Sequence, residues 1–154
     1  MNAPVSRMAL CATLLALANC GRDAVGARAE AAGVRVGRAV AWTMEEARSA
    51  TVGFELRLEE SDTLVSVSSP AGRAALHETM RGGQHGMHEV PSLPVPAGRT
   101  MVDGRSVHVM VEDLATGIPV GGTLPLELRF ARAGTLRLDV PVLRFSEALT
   151  ALGR

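Results

Sequence analysis

The 154-residue chain has no lysine and no tyrosine, one tryptophan, three phenylalanines and two cysteines. Its sixteen basic residues, all arginine, balance sixteen acidic ones, so the formal net charge is zero. A neutral chain without a basic block lacks the electrostatic footprint of a nucleic-acid binder. The scarcity of rings also removes the stacking platforms on which single-stranded bases sit. No eighteen-residue apolar run occurs, which excludes an ordinary membrane-spanning helix. Catalytic motifs are missing too. His77-Glu78-Thr79-Met80-Arg81 starts like a zinc-protease helix but has Arg81 where the second histidine belongs. Gly82-Gly83 is too short for a phosphate-binding loop and no lysine follows it. There is no Gly-x-Ser-x-Gly nucleophile elbow. No enzyme activity is expected.

What is present is globular: 47% hydrophobic and 21% charged residues, in a length that suits one domain and not two. Arg7 followed by the apolar run Met8–Ala18 has the proportions of an export signal. Leu17-Ala18-Asn19-Cys20 resembles a bacterial lipobox, which makes residues 1–19 a signal peptide and Cys20 the candidate for lipidation. Cleavage further on, after Gly26-Ala27-Arg28-Ala29, is the alternative. Either way Cys11 leaves with the signal, and the body carries no disulfide and no thiolate metal site. Residues 20–33, rich in alanine, glycine and charge, read as a tether.

From Val34 the apolar residues alternate with polar ones at period two, the pattern of half-buried strands. Val34, Val36, Val40 and Trp42 begin the series, with Trp42 expected in the core. Val52 to Leu58, Leu64 to Ser68, Arg73 to His77, Val107 to Val111, Leu124 to Phe130 and Leu136 to Val142 continue it. Turn residues separate them, among them Ser69-Pro70-Ala71-Gly72, Pro94 to Gly98 and Ala133-Gly134. Such a pattern predicts an all-β, immunoglobulin-like Greek-key sandwich or barrel over residues 34–145, with a C-terminal tail at 146–154. Pro125 argues for an edge position or an irregular start to its strand. Helix is limited to about two turns each at 44–49 and 146–152.

All four histidines lie between positions 77 and 108, and Met80, Met87, Met101 and Met110 fall in or beside that window. His108 and Met110 are two apart in a predicted strand, so they share one face while Val107, Val109 and Val111 take the other. His77 ends the preceding strand and Met87 follows the Gly82-Gly83 turn, so both can reach the same end of the sandwich. Two imidazoles and two thioethers form a soft, nearly neutral donor set. Thioether sulfur favours Cu(I) over zinc, magnesium or calcium. Where thiolates oxidise, methionine with histidine holds Cu(I) without cysteine. Singly, His77 reads as a partly buried polar residue and Met87 as core filler; the series is what makes them ligands. His85 and His88 flank Met87 and are either exposed loop histidines or auxiliary donors for Cu(II). Met80, three residues after His77, is a candidate to stand behind the ligands. Met44 and Met101 read as packing residues.

These residues resemble the periplasmic copper chaperones called PCu(A)C, from about Val36 to Val142. The resemblance rests on Leu64-Val65-Ser66-Val67-Ser68-Ser69-Pro70, Leu76-His77-Glu78-Thr79-Met80, Val95-Pro96-Ala97-Gly98 and Ser106 to Leu114. The family spaces His, Met and His-x-Met by about ten and twenty-one residues; the gaps here are nine and twenty, each one shorter. It implies a cupredoxin-like sandwich and Cu(I) held by His77, Met87, His108 and Met110. It also implies delivery to the CuA centre of cytochrome c oxidase subunit II, alongside Sco-type proteins. The chain itself is expected to be a monomer that touches the membrane only through the lipid on Cys20. Glu59-Glu60-Ser61-Asp62 replaces the family's asparagine turn, and Arg105-Ser106-Val107 replaces Gly-Gly-Tyr. The tail from Phe145 to Arg154 has no histidine or methionine for a second site. Two other readings stay open: copper sequestration without an acceptor, and a metal-independent immunoglobulin-like interaction module.

Overall fold

The computed structural model describes residues 25–43, 48–80 and 86–154. The signal segment, Cys20, His85, Met44 and most of the short helix expected at 44–49 lie outside the described residues. The chain forms β1 (Ala27–Ala31), β2 (Val34–Thr43), β3 (Ala50–Leu58), β4 (Asp62–Ser68), β5 (Arg73–Thr79) and β6 (Met87–Val90). There follow β7 (Leu93–Val95), β8 (Gly98–Val102), β9 (Val107–Glu112), β10 (Thr123–Phe130), β11 (Gly134–Leu143) and α1 (Phe145–Ala151). The hydrogen-bonded order is β6-β5-β9-β3-β2-β11-β10-β4-β7, with β1 added to β2 and β8 to the second half of β3.

The result is the expected β-sandwich, and β11 is its corner. Residues 134–141 of β11 pair antiparallel with β10, while Val142 and Leu143 pair in parallel with Ala41 and Trp42 of β2. Phe54, Leu56, Val109 and Val111 from one layer meet Leu64, Leu128, Phe130 and Val140 from the other in one core. Each such side chain contributes roughly 1.5–3 kcal/mol when fully buried, and this apolar seam fixes which face of every strand looks outward.

Several readings of the sequence need correction. Residues 20–33 are not a tether throughout: Ala27–Ala31 pair with β2, because Ala29 and Ala31 give β1 an alternating, half-buried face. Val40 and Trp42 do not continue the face of Val34 and Val36. A bulge between Gly37 and Val40, with Arg38 in a left-handed conformation, adds a residue and reverses the alternation. Ala39 and Ala41 enter the main core instead, while Val40 and Trp42 pack in a second cluster with Ala148 and Leu152. The strand of Pro125 is interior and not an edge, but Pro125 does lie at its irregular start, where β4 does not pair with β10 until Glu127. Pro94, read as turn, lies in β7, an edge strand that spares its missing N–H. Residues 146–154 are largely helix α1 and its end, docked on β2 rather than trailing as a tail.

The docking of α1 depends on Gly53. A Cβ there would stand 2.8 Å from Leu152 Cδ1 and 3.2 Å from the Val102 carbonyl oxygen. Gly53→Val is therefore expected to lift α1 from the sheet at a cost of about 1–3 kcal/mol. Thermal unfolding should show a Tm lower by about 5 °C, with a red shift of the Trp42 emission. Gly37→Ala, where a Cβ meets nothing within 4 Å, should leave that emission unchanged.

Candidate metal centre

The strands β6, β5 and β9 lie side by side, and their outward face collects most of the donors found in the sequence. Val109, Val111 and Leu76 point into the core, which turns His108, Met110 and His77 to the other side. His77 stands directly opposite His108, and Ala75 opposite Met110, so Met110 is a diagonal neighbour of His77. Met87 opens β6 opposite Thr79 and occupies the matching diagonal on the other flank. Diagonal neighbours in a sheet are about 7–8 Å apart between backbones, within reach of a long side chain.

The two imidazole rings are stacked, with centroids 6.0 Å apart and planes inclined by 29°. His108 is only 4% exposed. Both nitrogens of His77 and Nδ1 of His108 are buried without a hydrogen-bond partner. A buried polar nitrogen left unpaired costs about 1–3 kcal/mol. Three of them in one facing pair of histidines is the unexplained debt of this structure. Burial lowers the His108 pKa below the ordinary imidazole value, and the nearby His77 adds to the effect. His108 is therefore neutral at physiological pH, with a lone pair available to a metal.

Met87 is not the core filler that a lone methionine suggests. It is the first residue of edge strand β6 and 54% exposed. Its neighbour His88 faces the opposite side of the hairpin, 3.5 Å from Glu78, and does not share the His77 face. Met80 follows the end of β5, largely exposed, with its N–H donating to the Gly86 carbonyl oxygen. Met101 packs against the second cluster, as expected of a packing residue. Among the described residues no group of three His, Cys, Asp or Glu side chains gathers as a metal site. The donors that the register brings to the His77 face include the thioethers of Met110 and Met87.

Sequence reasoning missed the frame around these donors. Arg73 donates to Glu89 of β6 at 2.8 Å and to Glu112 of β9 at 2.7 Å, lashing three strands together on the histidine face. The hydrogen bond from Arg73 is the main cause that holds the Glu89 carboxyl below its usual range. At the other end of β5, Thr79 donates its N–H to the Ser106 carbonyl and its hydroxyl to that of Gly104. The only trace in the sequence was the matched alternation of Arg73-x-Ala75-x-His77 with His108-x-Met110-x-Glu112, and that becomes informative only once the register is known.

A sequence profile described as "Putative lipoprotein LpqE-like" matches residues 29–142. No curated protein matches the chain. Among solved structures, the copper-bound PCuAC domain from PmoF2 superposes with a TM-score of 0.64 at 18% identity, covering 76% of this chain and 97% of that one. The Cu(I) form of DR1885 from Deinococcus radiodurans superposes with a TM-score of 0.57 at 26% identity, covering 71% and 77%. The apo form of the same protein covers 94% and 97%, at 24% identity and a TM-score of 0.56. The fold is thus that of the PCuAC domains which the sequence resembles.

Proposed function

This chain belongs to the LpqE-like family of lipoproteins, and from that premise we propose that it is an exported copper chaperone. It holds Cu(I) through His77, His108, Met110 and Met87 and passes the ion to the CuA centre of cytochrome c oxidase, with Sco-type proteins as partners in that delivery. The observation that carries this reading is the facing pair of buried imidazoles whose nitrogens have no protein partner. A soft cation satisfies those nitrogens, and the thioether of Met110 on the same face completes the preference for copper. The similarity in fold to the copper-bound PCuAC domain of PmoF2 and to the Cu(I) form of DR1885 supports the same reading.

Function then comes from exchange and not from turnover. Met87 sits at the exposed edge, where an acceptor's ligand can replace it first, while the imidazoles, whose unpaired nitrogens are buried, release last. Such an order lets copper move by stepwise ligand replacement without passing through free solution. Anchoring through Cys20 fits the strand arrangement, because cleavage after Ala29 would cut β1 in the middle of its pairing with β2.

Titrating the protein with Cu(I) against a competing chelator tests the binding. Saturation at one equivalent is expected. A hundredfold excess of free ligand over Kd adds roughly 2.7 kcal/mol of apparent stability, seen as a raised Tm. An unmoved Tm and no competition would leave the metal-independent module as the better account. Incubating the loaded protein with an apo CuA domain tests delivery; firm retention without transfer would favour sequestration.

A further inference from the structure

Away from the histidines, the outward face of β1, β2, β3 and β8 concentrates arginine. Arg35, Arg57 and Arg99 stand directly opposite one another on three neighbouring strands. Like charges in that position repel. Glu59 lines the hollow that these three arginines share at one end, and Glu55 stands beside them at the other. Glu55, its side chain only 7% exposed, is ion-paired with Arg57, lies 2.9 Å from Arg99 and 3.9 Å from Arg38. Burial opposes its ionisation, but the hydrogen bond and charge of Arg57, followed by Arg99, prevail and lower its pKa. Arg35 is held at 3.0 Å by Glu30.

Beside this ladder is a groove of about 610 Å³, lined by Arg28, Arg35, Arg38, Arg57, Glu30 and Glu55, with Gly37 at its floor. Gly37 faces open space, so no side chain fills the centre. Each guanidinium offers five N–H donors, whereas an ionised carboxylate has about four lone-pair positions. Glu55 cannot exhaust the three guanidiniums that share it. Carboxylates and phosphates both match the planar guanidinium fork, but a phosphate group carries more charge and a third oxygen, so that one group can engage more than one of these arginines.

The geometry points to a second ligand site here, a groove that takes phosphate-bearing anions on Arg35, Arg57 and their neighbours. It stands apart from the metal centre. From Thr51, opposite Met110, to Arg57 is six residues of β3, or roughly 20 Å at the usual rise. Leu152 of the C-terminal segment covers Gly53 between them. The shared chemistry is the phosphate group, borne either by an anionic phospholipid headgroup or by a soluble phosphate. On the anchoring proposed above, Arg28 follows Cys20 by eight residues, a span of at most about 29 Å, which brings this face within reach of a bilayer surface.

The test uses the full chain carrying Cys20→Ser, with and without Arg35→Gln and Arg57→Gln, so that the leader contributes equally to both. Sedimentation with vesicles of phosphatidylcholine, with and without 30% phosphatidylglycerol, is compared with calorimetric titration of pyrophosphate. An arginine near an anionic surface is worth about a factor of five, so the double substitution should weaken binding to the mixed vesicles by about 25-fold. Pyrophosphate binding lost in the variant, without preference for the charged vesicles, would support the site and identify a soluble anion as its ligand. Equal binding of both ligands by both proteins, or binding of neither, would overturn it. Cu(I) titration of the variant reports separately: retained copper binding shows that the fold and the metal centre are intact whatever the anion result.

Discussion

Replacing His108 and Met110 together by leucine is expected to weaken Cu(I) retention by at least about three orders of magnitude while leaving the empty protein folded. Two of four donors are lost. A four-ligand structural zinc site is worth about 10–16 kcal/mol, or roughly 2.5–4 kcal/mol per ligand. The effect on the apo protein has the opposite tendency. His108 is buried with one nitrogen unpaired, and an apolar side chain of similar size removes that desolvation penalty. The variant should therefore unfold at the same temperature as the wild type or slightly above it. Such a separation of stability from ligand binding is the usual mark of a functional site. Chelator competition reads the first effect and thermal unfolding the second. Undiminished copper retention would refute the assignment, and a collapsed Tm would show that the imidazole has a structural use.

The largest loss of stability should come from a residue that has nothing to do with copper. Asp62 is buried at the start of β4, and its carboxylate accepts backbone N–H groups from Thr63 at 2.7 Å, Ala133 at 2.9 Å and Arg132 at 3.1 Å. It thereby joins the 59–62 turn to the β10–β11 hairpin. Hydrogen bonds to a charged group are worth about 1.5–3 kcal/mol each, and an alanine leaves the donors unpaired. Asp62→Ala is expected to cost about 3–5 kcal/mol, or roughly 10 °C in Tm, with Asp62→Asn recovering part of it. Burial works against ionisation of Asp62, but the N–H donors of Ala133, Thr63 and Arg132 outweigh it and lower the pKa. The stabilisation from a lowered carboxyl is complete above the unfolded value of about 3.9 and lost as pH falls through the folded value. The gap between wild type and Asp62→Ala should accordingly be constant from pH 5 to 7 and narrow towards pH 2. Denaturant melts across that range check the sign. A gap that widens in acid would exclude the carboxylate as the cause.

How the Glu59-Glu60-Ser61-Asp62 turn is held was not legible from the sequence. Two of the three donors to Asp62, Arg132 and Ala133, are some seventy positions away in the chain. The bulge at Arg38 escaped for a related reason. A period-two pattern carries no mark of an inserted residue, and 34, 36, 40 and 42 are all apolar. Only the packing of α1 against Val40 and Trp42 shows that two faces, not one, are being filled. The Arg35, Arg57 and Arg99 ladder was equally hidden, since charges scattered over sixty-four positions carry no hint of cross-strand neighbours.

Alternation of valine and leucine with polar residues determined the all-β class by itself, because burying one face of each strand leaves few other solutions. The residue types between His77 and Met110 likewise set the chemical preference of the proposed site, since softness belongs to the donor atom and not to the fold. Which donors meet was decided by tertiary structure alone. The β5–β9 register sets His77 against His108 and turns His88 away, and a shift of one residue would have reversed every face. That register follows from long-range burial of Leu76 and Val109 in a common core, an energy that no local stretch of the chain contains.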